Sequence, residues 1–303
     1  MHIRRLFFLV MLISPSLLFS QKTDKKLQQK LGQALAGFNG DVGIYVKNLR
    51  NGKIAAINAD TIFPTASMVK VPIMIGVMDK IEKGELTYDQ ALIYKDSLLY
   101  EGEDILGSFK EGEKIALNKV MMLMLTMSDN TASLWLQSLA GTGARINEIM
   151  EDLGMKSTRV NSRTPNREKD RQVYGWGQTT PREMATLFEL IFKNQVISPA
   201  ASNRMARNLG RNFWDHVALS EIPPYEKVIS KNGAVNASRS EAVLVTGPKS
   251  QYVFCIATKN NKDQTWESSN EAWVLSRKIS RMLWNYFEPK SKWNRPEGLE
   301  KFN

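Results

Sequence analysis

A chain of 303 residues, 43% of them hydrophobic and 24% charged, can bury the core of one large or two closely packed domains, and it does not read as disordered. Its net charge of +10 gives a basic surface, but Lys and Arg are scattered and no nucleic-acid fold motif is present, which argues against nucleic acid as a partner. Two histidines and one cysteine in the whole chain argue against a zinc hydrolase site, which needs two or three such ligands, and no intramolecular disulfide can form.

Residues 1–20 read as a secretory signal. His2-Ile3-Arg4-Arg5 is a positive start, and Leu6 to Phe19 is apolar apart from Ser14, Pro15 and Ser16. The run is short of the about 20 residues that a membrane-spanning helix needs. An uncleaved anchor is the alternative, and both readings put the folded part outside the cytoplasm, periplasmic or secreted, without stable membrane insertion once the signal is cleaved. No cysteine follows the expected cleavage point, so no lipid anchor is supported.

The pattern Leu27, Leu31, Leu35 predicts an amphipathic helix over 25–38. Apolar runs at 42–46 and 54–57 flank Asn51-Gly52, a strong hairpin signal. Residues 69–83 and the Met-rich 117–127 have the character of buried helices, the methionines serving as core. Thr180, Pro181 and Glu183 stand as N-cap, first helical residue and N3, a full capping box. His216 is read as structural rather than as a catalytic base. A second hairpin is expected from 241–245 and 251–258 across Gly247-Pro248-Lys249-Ser250, with Cys255 a small buried hydrophobe on its strand. Residues 271–287 form a closing amphipathic helix.

Short hairpins make the sheet antiparallel. The expected fold is therefore α+β: about five antiparallel strands covered by helices, both terminal helices among them, plus a mostly helical lobe. The division expected is an α/β lobe from 21–60 and 222–290, a helical lobe over 61–221 and a tail over 291–303, with a cleft between the lobes.

Three motifs carry chemistry. Ser67-Met68-Val69-Lys70 opens the helix at 69–83, Ser128-Asp129-Asn130 ends the buried helix, and Lys231-Asn232-Gly233 lies on an apparent strand. In S-x-x-K the hydroxyl and the amine share one helical face, so the lysine can take the serine proton if burial and a second cation, such as Lys231, lower its pKa. A serine at a helix start also meets free backbone N–H groups suited to an oxyanion. Each motif alone is weak; their order, separation and context carry the joint reading.

At these residues the sequence resembles the class A β-lactamase-like serine hydrolases of the β-lactamase and penicillin-binding superfamily. Residues 64–72 look like the family's nucleophile segment, 126–132 like its second motif and 179–181 like the end of its Ω-loop. The resemblance implies that Ser67 attacks an acyl carbonyl, Lys70 accepts its proton and Ser128 relays a proton to the leaving nitrogen. Asn130, Lys231, Asn232, Gly233 and Ala234 are implied to bind substrate, with the N–H groups of Ser67 and Ala234 as the oxyanion hole. Arg239 is either a further carboxylate contact or an exposed hairpin charge. No cofactor or metal is implied; the partner is a small-molecule β-lactam or a peptidoglycan-like peptide, and a monomer is the default.

Two departures stand out. The third motif has Asn232 where Thr or Ser is usual. The Ω-loop lacks the E-x-x-L-N pattern: Thr164 falls at the glutamate position and Glu168 at the asparagine position, so Glu168 is either a relocated base or a solvated charge. The segment 100–109 looks longer than usual and is expected to reshape the cleft rim. The readings kept open are a β-lactamase, a D,D-peptidase that deacylates slowly, and a binding or sensor module without turnover.

Overall fold

The computed structural model describes residues 22–100 and 104–302; the expected signal peptide lies outside the described residues. The chain opens with helix α1 (Lys25–Leu35), whose N-cap Asp24 accepts from the Leu27 N–H and which buries the expected Leu27, Leu31 and Leu35. Strands β1 (Asp41–Asn48) and β2 (Ile54–Ile57) follow, with Gly52 at φ +71°, the left-handed geometry that their turn requires. The two-residue strand β3 (Phe63–Pro64) leads through a 3₁₀ turn, Ala66–Val69, into helix α2 (Lys70–Glu82).

Next come β4 (Ala91–Ile93), β5 (Lys114–Ala116), α3 (Leu117–Met122), a π turn over Leu123–Met127, α4 (Asn130–Leu139) and α5 (Thr142–Asp152). Then β6 (Arg159–Val160), α6 (Glu168–Tyr174), β7 (Gly177–Thr179), α7 (Pro181–Phe192) and α8 (Pro199–Leu209) lead to the last strands. These are β8 (Lys227–Val235), β9 (Ser238–Thr246) and β10 (Gln251–Lys259), closed by helix α9 (Glu271–Phe287). Among the described residues no helix is long and apolar enough to cross a membrane.

The expected α+β fold is present. One five-stranded antiparallel sheet runs β2-β1-β10-β9-β8, so the amino-terminal hairpin joins the carboxyl-terminal strands through β1 and β10, Val46 opposite Phe254. Alternation along the strands divides two cores. Ile44, Val46, Val243, Phe254 and Ile256 face Leu31 of α1 and Ile279 and Leu283 of α9. Tyr45, Ala242, Leu244, Val253 and Cys255 share the other core with Met184, Leu187 and Phe188 of α7 and with α2. That core carries the expected methionines, including Met121 and Met124, but Met122 is 42% exposed, so residues 117–127 are not buried all round.

The capping box at α7 is only half formed. Thr180 Oγ1 accepts from the Glu183 N–H at 3.2 Å. The Glu183 carboxylate turns instead to the backbone N–H groups of Ser157 and Thr158 and to the Thr158 hydroxyl. A residue pattern that closes a box locally is here recruited to tie down the segment that leads into β6.

Candidate active site

Ser67 sits in the 3₁₀ turn ahead of α2, anchored below by the Thr65 N–H donating to Gly177 O of β7 at 2.9 Å. Ala66, immediately before it, has φ +43°, a left-handed conformation that an alanine adopts only when its surroundings enforce it. One turn on, Lys70 is the first residue of α2 and is fully buried. Its Nζ lies 3.1 Å from Ser67 Oγ, 3.0 Å from Ser128 Oγ and 2.8 Å from Asn130 Oδ1, and it also donates to Ser128 O. Burial, and then the nearby Lys231, hold the Lys70 ammonium well below the usual lysine range. An uncharged amine keeps a lone pair, and the Ser67 hydroxyl is within reach to donate to it.

The second motif arrives at Lys70 through an irregular helix end. The π turn over Leu123–Met127 widens the last turn of the buried segment, and Ser128 follows it at φ +60°. Two carboxylates fix what comes next. Asp129 accepts from Ala132 N at 2.7 Å and Leu106 N at 3.0 Å; Asp104 accepts from Asn130 N at 2.9 Å and Thr131 N at 2.7 Å. The free N–H groups at the start of α4 are thereby satisfied, and the loop before β5 is bolted to the helix that presents Asn130. Asp129 thus orders the loop. Burial raises its pKa, while the two N–H donors oppose the rise.

The third motif lies on β8, which runs past the nucleophile turn. Gly233 has a steric cause: a Cβ there would stand 2.4 Å from Thr65 O, 2.7 Å from Ser67 N and 3.0 Å from Met68 N. Fully buried Lys231 donates to Asn232 O at 2.9 Å and Asn232 Oδ1 at 3.2 Å, and burial lowers its pKa to about 7 against the raising influence of Glu241. Glu241, opposite Asn232 on β9, is itself buried; its Oε2 accepts from the Ala218 N–H at 2.9 Å and its Oε1 has no partner. Burial raises it to about 7.

Ser67, Lys70, Ser128 and Asn130 therefore form one contiguous group, with Gly233 and Ala234 against it. Arg239 and Glu168 do not join it. Arg239 is neither an exposed charge nor a cleft contact. Its guanidinium is folded into the β8–β9 hairpin, donating to Val235 O, Asn236 O, Ser238 O and Thr265 O, with Trp266 and Trp273 stacked on it at 4.5 and 4.9 Å. Glu168 is exposed in the first turn of α6 and lines neither cavity at Ser67, so a relocated base there has no geometric support. Thr164 is buried and turned toward α5: its Oγ1 donates to Ser162 O at 2.9 Å and stands where a Cβ on Gly143 would fall.

Two cavities meet at Ser67, Asn130 and Ala234. One, of about 510 Å³, extends along Tyr100, Val173, Tyr174, Trp176, Val235 and Ser238. The other, of about 630 Å³, extends along Asp104, Ser128, Asn232 and a group of aromatic rings. Of the segment 100–109, Tyr100 lines the first cavity and Asp104 the second; residues 101–103 lie outside the described residues. Asp104, Trp176, Trp214 and Trp266 were not picked out from the sequence, since no local pattern marks a side chain that meets the site only through a loop.

A family model described as "Beta-lactamase enzyme family" matches residues 25–287. Beta-lactamase VEB-1 of Pseudomonas aeruginosa is 20% identical over 299 residues, covering 94% of this chain and 98% of that one. The structure of PBP-A superposes with a TM-score of 0.79 at 25% identity, covering 89% of this chain and 98% of that one. A mutant of PBP-A, captured as an acyl-enzyme complex with penicillin G, matches to the same degree.

Proposed function

The chain belongs to the beta-lactamase enzyme family, and from that premise we propose that it is an exported serine acyl-enzyme hydrolase whose nucleophile is Ser67. The observation that carries this reading is the buried Lys70 amine 3.1 Å from Ser67 Oγ and 3.0 Å from Ser128 Oγ. Neutral Lys70 accepts the Ser67 proton as Oγ attacks the carbonyl carbon of a cyclic amide. The oxyanion is received by the N–H groups of Ser67 and Ala234. As the tetrahedral intermediate collapses, the C–N bond breaks; Ser128 gives its proton to the leaving nitrogen and recovers one from Lys70. Asn130 holds the substrate amide, and Lys231 with Asn232 attracts an anionic group. Water then adds to the ester and releases Ser67. The N-terminal pattern of the sequence supports export.

A second reading concerns that last step. Among the described residues no carboxylate lines the cavity bounded by Trp176, Glu168 is exposed and Thr164 faces α5. This favours an enzyme that acylates readily and deacylates slowly, as a D,D-peptidase acting on peptidoglycan stem peptides would when it meets a β-lactam. A fluorescent penicillin and a chromogenic cephalosporin separate the readings. Stable labelling that vanishes in Ser67→Ala, with slow cephalosporin turnover, supports the slow deacylator. Rapid repeated turnover supports the β-lactamase, and neither label nor turnover in wild-type protein sinks both.

A further inference from the structure

Ser128 lines only the second of the two cavities that meet at Ser67, whereas Ser67 and Asn130 line both. On the acyl-enzyme reading, on which this inference rests, the group that leaves with the nitrogen emerges on the Ser128 side. That side is walled by rings. The His216 imidazole stands edge-on to Trp214, 6.3 Å between centroids, and to Trp273 at 5.6 Å, and Trp266 stands edge-on to Trp273 at 6.0 Å. The indole N–H groups at the mouth are already engaged: Trp214 Nε1 donates to Met127 O at 2.9 Å and Trp266 Nε1 to Asn236 Oδ1 at 3.1 Å. What they turn to the cavity is ring surface, and Trp266 remains 57% exposed.

The charges point the same way. The charged side chains lining this cavity are the carboxylates Asp104 and Glu267; no Lys or Arg lines it among the described residues. Arg239, the guanidinium on the neighbouring strand, lies stacked on Trp266 and Trp273 with its Nη1 and Nη2 donors engaged by carbonyls, and so serves as backing for the wall. Burial, and then Arg277, hold the His216 imidazole below its ordinary value, which favours the uncharged ring.

We propose that the cavity walled by Trp214, His216, Trp266 and Trp273 is a specificity subsite for a flat, uncharged substituent on the leaving group. Rings of this kind bind a flat partner by stacking and by removing apolar surface from water, and beside two carboxylates they give little to an anionic substituent carried beyond the group that Lys231 and Asn232 attract.

The test compares three β-lactams with one common acylamido side chain whose leaving-side substituent is a methyl group, a neutral aryl ring, or the same ring bearing a carboxylate. Second-order acylation of wild-type protein, followed by mass spectrometry, is expected to be about tenfold faster with the neutral aryl compound than with the other two. Trp266→Ala and His216→Ala reduce that advantage to about twofold. Tyr225→Ala, at an exposed aromatic outside both cavities, leaves it intact. Equal rates for the three compounds, or an advantage that survives both substitutions, overturn the subsite while leaving the acyl-enzyme reading standing. If His216→Ala does not fold, the exposed Trp266→Ala decides alone. If wild-type protein acylates with none of them, the acyl-enzyme reading fails. Tryptophan-fluorescence titration of Ser67→Ala then decides the subsite separately: about tenfold tighter binding of the neutral aryl compound supports it, and equal binding overturns it.

Discussion

Lys70 is an amine removed from water and ringed by the oxygens of Ser67, Ser128 and Asn130. Burial, and then Lys231, hold its pKa well below that of an exposed lysine, which favours an uncharged amine beside Ser67. Lys70→Ala is expected to slow acylation by about 10²–10⁴-fold, the range of a positioned general base, with circular dichroism unchanged; labelling kinetics measure it. Gly233→Ala tests the opposite kind of constraint. The added methyl meets backbone atoms of Thr65 and Ser67, which cannot swing aside, so the nucleophile turn and β8 must part. We expect a loss of about 1–3 kcal/mol of stability and at least about a tenfold drop in acylation, read by urea unfolding and labelling. Ser67 and Lys70 were legible in the sequence through the order and separation of the three motifs, their spacing of one turn putting them on one face. Arg239 was not: its surroundings depend on how the β8–β9 hairpin meets Trp266 and Trp273, which residue spacing does not encode.

At the scale of elements, hairpins, terminal helices and the N-cap of α7 were readable, because turn chemistry and apolar periodicity are local. What escaped were side chains that cap someone else's element. Glu183 leaves its own box for the Ser157–Thr158 backbone, and Asp104 crosses from a loop to the start of α4. Asp104→Ala should therefore cost about 1–2 kcal/mol, the range for a lost helix cap. It should also loosen Asn130, raising the substrate concentration needed for half-maximal acylation; thermal melts and a concentration series check both. Helix α6 gives a contrasting expectation. Glu168 is exposed in its first turn and away from both cavities. Glu168→Ala should leave the deacylation rate within about twofold of wild type, the range typical of a solvated surface charge. A large drop, seen by following release of the fluorescent label, would restore it as the base.

For the molecule as a whole, the buried Glu241 and Lys231 give opposite dependences of stability on pH. Glu241 rises from an ordinary 4.5 to about 7. Between those values the folded chain keeps a proton that the unfolded chain releases, so its contribution falls as pH rises through that window. Lys231 drops from 10.5 to about 7. Above pH 7 the unfolded chain holds the extra proton, so this contribution grows with pH until the unfolded lysine also titrates. The pair alone gives a minimum near pH 7. Glu241→Gln should remove the acidic limb, flattening the change in unfolding free energy between pH 5 and 7 by roughly 1–3 kcal/mol. Urea titrations at those two values measure it; an unchanged slope would assign the acidic limb to other groups. The sheet order has a consequence in time as well. Strand β1 is made before helices α2 to α8, yet the neighbour that fills its second edge is β10, made after them. Until that strand arrives, the first hairpin offers open hydrogen-bonding groups along Asp41–Asn48, a template for any stray chain. The carboxyl-terminal strands are thus the clasp of the molecule: fragments that stop short of Gln251 are expected to aggregate rather than persist as a smaller folded unit.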